Sequence, residues 1–147
     1  MTRFRIAVVA VAIALICSPP TPAQTPQYRA RLAPVPLDIA MQSTIAGGGS
    51  ATATLQGSTL TITATFSGLK TPATVARLHR SPKTAMRGPA IGDLAVTAGT
   101  SGTISGTIEL TKDQVDDLAA GRIYMQVHSQ KAPDGNLWGW LLAAEQK

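Results

Sequence analysis

The chain carries two histidines, His79 and His128, and each closes a run of alternating residues. A neutral imidazole offers a lone pair to a cation, so the pair is a candidate copper or zinc site. A tight site needs three or four ligands in fixed geometry, and Arg77, two residues before His79, would repel a divalent ion. The plainer alternative is that both rings make surface or turn hydrogen bonds. A second candidate is aromatic: Tyr124, Trp138 and Trp140 suit stacking on a sugar or a partner, unless other segments cover them as packing. The third is basic. Arg77, Arg80, Lys83 and Arg87 lie close together, and no acidic residue occurs from Ile39 to Gly92. Such a stretch suits lipid headgroups, an anionic polysaccharide or an acidic protein, and a solvated loop has the same composition.

Motifs for turnover are missing. The sequence has no Gly-x-Ser-x-Gly elbow, and no phosphate-binding glycine loop follows a strand and opens a helix. Asp113, Asp116 and Asp117 cluster where acids favour a helix start, which explains them without catalysis. Ser129 adjoins His128, but neighbours along a strand face opposite ways and do not form a dyad. No catalytic residue, organic cofactor or enzymatic activity is expected.

The first residues give an address. Arg3 and Arg5 precede the apolar run Ile6 to Cys17, and Thr21-Pro22-Ala23 follows. A basic start, a short apolar core and a small-residue exit describe a secretory signal peptide. The run is shorter than the roughly 20 residues that span a bilayer. Cleavage after Ala23 is expected, with lipidation of Cys17 as the alternative; Ile16 before that cysteine is large for a lipoprotein site. The reading is therefore a secreted or periplasmic protein that meets the membrane only through its export signal. Cys17 is the single cysteine, so the exported part has no internal disulfide. Without Arg3 and Arg5 the net charge falls from +5 to +3, too weak to argue nucleic acid.

Three units are expected: a signal peptide over 1–23, a proline-rich lead-in over 24–36 and one β-domain over 37–147. Pro26, Pro34 and Pro36 mark the lead-in as extended chain outside any inner strand. Beyond it the period is two. Leu60, Ile62, Ala64 and Phe66 alternate with threonines, and similar runs occur at Asp38–Ile45, Ala51–Gln56, Ala73–His79, Gly92–Thr97, Thr103–Leu110, Arg122–His128 and Leu137–Ala143. Seven to eight short strands predict an all-β fold, an antiparallel β-sandwich or flattened Greek-key barrel. One short helical connector is expected at Thr111 to Gly121, opened by a capping box and stopped by glycine. Alternation sends Ile123, Met125 and Val127 inward and Tyr124, Gln126 and His128 outward; Arg77, His79, Trp138 and Trp140 also lie off the core face. A hairpin turn is expected at Pro133-Asp134-Gly135.

These segments resemble the chordin-type (CHRD) domain. Phe66-Ser67-Gly68-Leu69, Pro72 and Ala76-Arg77-Leu78-His79 match its phrase of Ser-Gly-Leu, proline and a strand ending in His-x-His. Ser105-Gly106-Thr107, Leu110-Thr111, Gln114, Leu118, Gly121, Val127-His128-Ser129 and Pro133 to Leu141 follow a second, longer phrase in order. The likeness covers about residues 38–143. It departs at Arg77, which stands for the first histidine, and at Trp138 and Trp140, where arginine and glutamine are usual. The resemblance implies an extracellular all-β module; a binding or interaction role is expected, with an unknown extracytoplasmic protein or polysaccharide as partner. A runner-up reading is a copper- or zinc-binding protein of superoxide-dismutase-like architecture using His79 and His128.

Overall fold

The computed structural model describes residues 24–83 and 85–145; the expected signal peptide over 1–23 and its Cys17 lie outside them. Period-two alternation decides the architecture. The strands are β1 (Gln27–Pro34), β2 (Gly48–Gln56), β3 (Thr59–Ser67), β4 (Ala73–Arg80), β5 (Ala90–Val96), β6 (Gly102–Glu109), β7 (Ile123–Ser129), β8 (Ala132–Trp140) and β9 (Leu142–Ala143). The helix α1 (Lys112–Ala119) sits between β6 and β7. Thr111 caps it, accepting from the Gln114 N–H while the Gln114 side chain accepts from the Thr111 N–H.

Neighbouring strands run in the order β2-β3-β6-β5-β4-β7-β8-β1, and β1 pairs back onto β2. The sheet is thus a closed eight-stranded antiparallel barrel, with β9 as a short flap on β1. The β3–β4 connection skips two strands, which is the Greek-key step. Closure puts β3 four strands from β7, diametrically across the barrel.

Inside, Leu60, Ile62, Phe66, Leu78, Leu94, Ile104, Ile123, Met125, Val127, Leu137 and Leu141 are buried in one core. Ile108, which shares the inward alternation of β6 with Ile104, is half-buried and packs against it. The register expected for Ile123, Met125 and Val127 holds, each being 0% exposed. Outside, β2, β3 and β6 carry hydroxyls in register: Ser50, Thr65 and Thr103; Thr52, Thr63 and Ser105; Thr54, Thr61 and Thr107. β-Branched threonine fits a pleated surface and its hydroxyl satisfies water.

Three expectations are corrected. The lead-in is a barrel strand: β1 alternates buried Tyr28, Ala30 and Leu32 with exposed Arg29 and Arg31, and pairs with both β2 and β8. Pro26 and Pro34 fall outside or at the end of β1, so no ladder donor is lost within it. Asp38–Ile45 is not a strand. Its centre, Ala40–Ser43, is a 3₁₀ turn whose start is held by the Met41 N–H donating to Asp38 Oδ1 at 2.9 Å. The last hairpin turns at Gln130-Lys131, while Pro133-Asp134-Gly135 lies within β8, where the β7–β8 register shifts between Val127 and Ser129. That shift is a bulge, and it re-aims carbonyls toward the outer face. Among the described residues no helix is long and apolar enough to cross a membrane.

Candidate functional site

The outer face of β4, β7 and β8 gathers nearly every residue singled out from the sequence. Strand pairing sets His79 opposite Tyr124, Arg77 opposite Gln126, and Gln126 opposite Trp138. Tyr124 stacks on the His79 ring, with centroids 4.9 Å apart and planes 15° from parallel. Trp140 lies 4.6 Å from Tyr124, and Trp138 meets Tyr124 edge-on at 6.0 Å. The rings of His79 and His128 are 6.5 Å apart, centroid to centroid.

This face is off the core, as alternation requires, yet it is not open. Tyr124 is 1% exposed and Gln126 3%, so Tyr124 is packing rather than an exposed ligand platform. The cover is the β4–β5 loop. Gly88 donates its N–H to the Tyr124 hydroxyl at 3.1 Å, and its carbonyl accepts from His79 Nδ1 at 2.9 Å. A Cβ on Gly88 would stand 1.8 Å from the Arg80 carbonyl oxygen, so only glycine lets the loop lie this close. Trp138 and Trp140 are half-buried; Trp138 packs with Val35, Met41, Ile45 and Ala132 in a small second cluster. The segment around the 3₁₀ turn therefore covers part of the tryptophan surface.

The β8 bulge supplies the other anchors. The Pro133 carbonyl accepts from His128 Nδ1 at 2.7 Å. The Asp134 carbonyl accepts from Gln126 Nε2 and from Arg87 Nη1, both at 2.9 Å. Gly135, at φ 128°, makes the backbone turn that this needs; a Cβ there would meet Gln126 Nε2 at 2.5 Å. These bonds fix chemistry as well as position. A carbonyl only accepts, so both rings carry their proton on Nδ1 when neutral and the Gln126 amide is oriented with its oxygen away from Asp134. The sequence suggested the two histidines, but the roles of Gln126, Gly88 and the bulge carbonyls depend on register and loop path.

The basic residues divide. Arg77 is paired with Asp93, Nε to Oδ1, at 2.8 Å on the surface. Arg80 and Arg122 both hold Asp117 of α1, whose side chain is 3% exposed. Asp117 thus ties the helix to the barrel; it stands in the second half of α1, beyond the first turn, so the helix-dipole reading does not account for it. Arg87 is exposed, has no carboxylate partner among the described residues and stands 6.0 Å over the Trp138 ring. Arg80, Arg87, Arg122 and Asp117 line a pocket of about 400 Å³ with Ser81 and Pro89.

Burial, partly offset by the Gly88 hydrogen bond, holds His79 below the ordinary histidine range, with His128, Arg77 and Arg87 pushing the same way as burial. The ring stays neutral at neutral pH. An unfolded chain takes up a proton near pH 6.5 while the folded one resists it, so the unfolded state binds more protons below that pH. Stability is expected to fall as pH drops below 6.5 and to level off once the folded ring titrates. Urea unfolding of the wild type and of His79→Gln across this window checks it: the variant should show a flatter profile, and equal slopes would remove His79 as the cause.

The family model of the CHRD domain matches residues 33–141, most of the chain. The chain belongs to the CHRD family. No curated protein and no solved structure matches it. CHRD domains are in general non-catalytic binding modules, and membership suggests a binding or interaction module. In this CHRD domain the matched span begins within β1, so most of the strand that closes the barrel precedes it.

Proposed function

We propose that this CHRD domain is an exported, non-catalytic binding module that takes an acidic polysaccharide at the pocket of Arg80, Arg87 and Arg122. Residues 1–23 serve as its cleavable leader, and the ligand is met outside the cytoplasm. The observation that carries the reading is the charge inventory of the pocket. Three guanidiniums face about 400 Å³ of concave space against one buried carboxylate, leaving a surplus of two positive charges at the surface. Planar guanidinium forks suit the carboxylate or sulfate of an acidic sugar. Trp138 beneath Arg87 adds an aromatic edge for a sugar ring at the rim.

Titration calorimetry with oligogalacturonate, and with neutral dextran as control, tests this. Oligogalacturonate should bind with an affinity that falls steeply with salt, and dextran should not. Arg87→Ala, which loses an exposed hydrogen bond to the Asp134 carbonyl and its place over Trp138, should weaken binding at least tenfold with only a small shift of the unfolding midpoint. Equal heats from both sugars, or an unchanged Arg87→Ala, would refute the assignment.

A further inference from the structure

Three buried acceptors on the outer face have no donor among the described residues: His79 Nε2, His128 Nε2 and Gln126 Oε1. Their identity as acceptors follows from geometry. Each histidine donates from Nδ1 to a backbone carbonyl, and the Gln126 amide nitrogen donates to the Asp134 carbonyl, so the remaining atom of each group bears a lone pair. Both Nε2 atoms are sealed from solvent although their rings are half-buried. Buried acceptors are ordinarily satisfied, and three such atoms on one strand face require a donor or a cation. Gln126 stands between Tyr124 and His128 on β7 and opposite Arg77 on β4, and the His79 and His128 rings lie on the same outer face, tilted 34° to each other.

We propose that His79 and His128 bind a single cuprous ion through their Nε2 atoms, with the Gln126 amide oxygen as a weak third donor. Two imidazoles facing each other across a metal about 2 Å from each nitrogen have centroids roughly 6 Å apart. The observed separation is 6.5 Å. The anchoring of each Nδ1–H on a carbonyl is the arrangement that fixes tautomer and ring direction for a metal-bound histidine. The number of ligands selects the ion. Among the described residues no group of three or more His, Cys, Asp or Glu side chains converges. Zinc, which takes four ligands in a tetrahedron, is therefore poorly served, whereas copper(I) accepts two nitrogens nearly in line. Charge selects the same way: Arg77 and Arg87 act on His79 electrostatically, and that repulsion doubles for a divalent ion. This site adjoins the arginine pocket through Gly88 and Arg87 but shares no ligand atom with it, so its loading is measured without the polysaccharide.

Anaerobic titration of the domain 24–147 with copper(I) against a chromophoric chelator tests the proposal. One equivalent should bind, and His79→Gln and His128→Gln should each weaken binding at least tenfold while retaining the β-sheet circular-dichroism spectrum. Imidazole nitrogen resonances should show both Nε2 atoms unprotonated before the metal and both shifted after it. Gln126→Met should bind copper(I) with a smaller change than either histidine variant. Absence of uptake, with both Nε2 atoms hydrogen-bonded to an ordered water, would overturn the site. Uptake indifferent to both histidine substitutions would do the same, and zinc binding of equal strength would overturn the choice of ion.

Discussion

A fragment beginning at Ala33, where the family match begins, is expected to lose cooperative folding. It lacks Tyr28, Ala30 and Leu32, which are 6%, 6% and 1% exposed in the barrel. Burying each large side chain contributes about 1.5–3 kcal/mol. The fragment also lacks the ladder from Gln27–Leu32 to Thr54–Gly49 and the β9 contacts on Tyr28 and Arg29. Together these losses approach the roughly 5–15 kcal/mol that keeps a domain of this size folded. The exposed flank of β2 then becomes a free edge that pairs with other chains. Size-exclusion chromatography and urea unfolding of 33–147 against 24–147 give the check. The longer chain should be a monomer with a sharp transition, and the shorter one aggregated or without a transition. A synthetic peptide covering 24–35 should restore the monomer, and the same peptide with Leu32→Asp should not. If 33–147 unfolds at the same urea concentration as 24–147, closure by β1 is unimportant to stability.

The second large effect is expected at Asp117. Replacing both of its partners, Arg80→Met with Arg122→Met, leaves a carboxylate that is 3% exposed without a cation. Removing the partners of a buried charge costs about 3–5 kcal/mol, and the lower figure applies here because the arginines are themselves about 40% exposed and their loss admits water. Asp117→Asn should cost less, since the two guanidiniums it abandons rehydrate. Adding Asp117→Leu to the double variant should recover most of the loss, because an apolar replacement of a buried ionic cluster is often neutral. Chemical unfolding of the four proteins measures this. A double variant as stable as the wild type, or a triple variant no better than the double, would show that Asp117 is not held by charge.

Much of the barrel is legible in particular residues. β3 and β7 declare themselves because a half-buried strand must alternate, and Leu60, Ile62, Ala64 and Phe66 leave no other face for a core. β1 carries the same signal in Tyr28, Ala30 and Leu32, but the prolines around it outweighed that pattern, although a proline at a strand end removes no ladder bond. The strand expected at Asp38–Ile45 fails for a local reason: the Asp38 side chain accepts a backbone N–H and starts a 3₁₀ turn. At the site, alternation places His79 and His128 off the core, yet their 6.5 Å approach depends on the β4–β7 register, a pairing between segments far apart in sequence. Burial of Tyr124 was hidden because the loop that covers it reads as polar and basic, and only the close approach at Gly88 turns it into a lid of packed chain.

The hydroxyl grid on β2, β3 and β6 lies across the barrel from β4, β7 and β8, which carry Arg77, Arg80 and both indoles, while Arg29 and Arg31 on β1 border the grid. Apart from Glu109 at the end of β6, the three hydroxyl strands carry no charged side chain. The molecule therefore has a compass direction. A charged wall turns it before any contact forms, because one side feels the field and the other does not. At physiological salt the field reaches only about 8 Å, so the rotation belongs to the last moment of approach. On the polysaccharide reading proposed above, the side of Arg80 and Arg87 turns toward the acidic ligand and the threonine face is left toward the surrounding fluid.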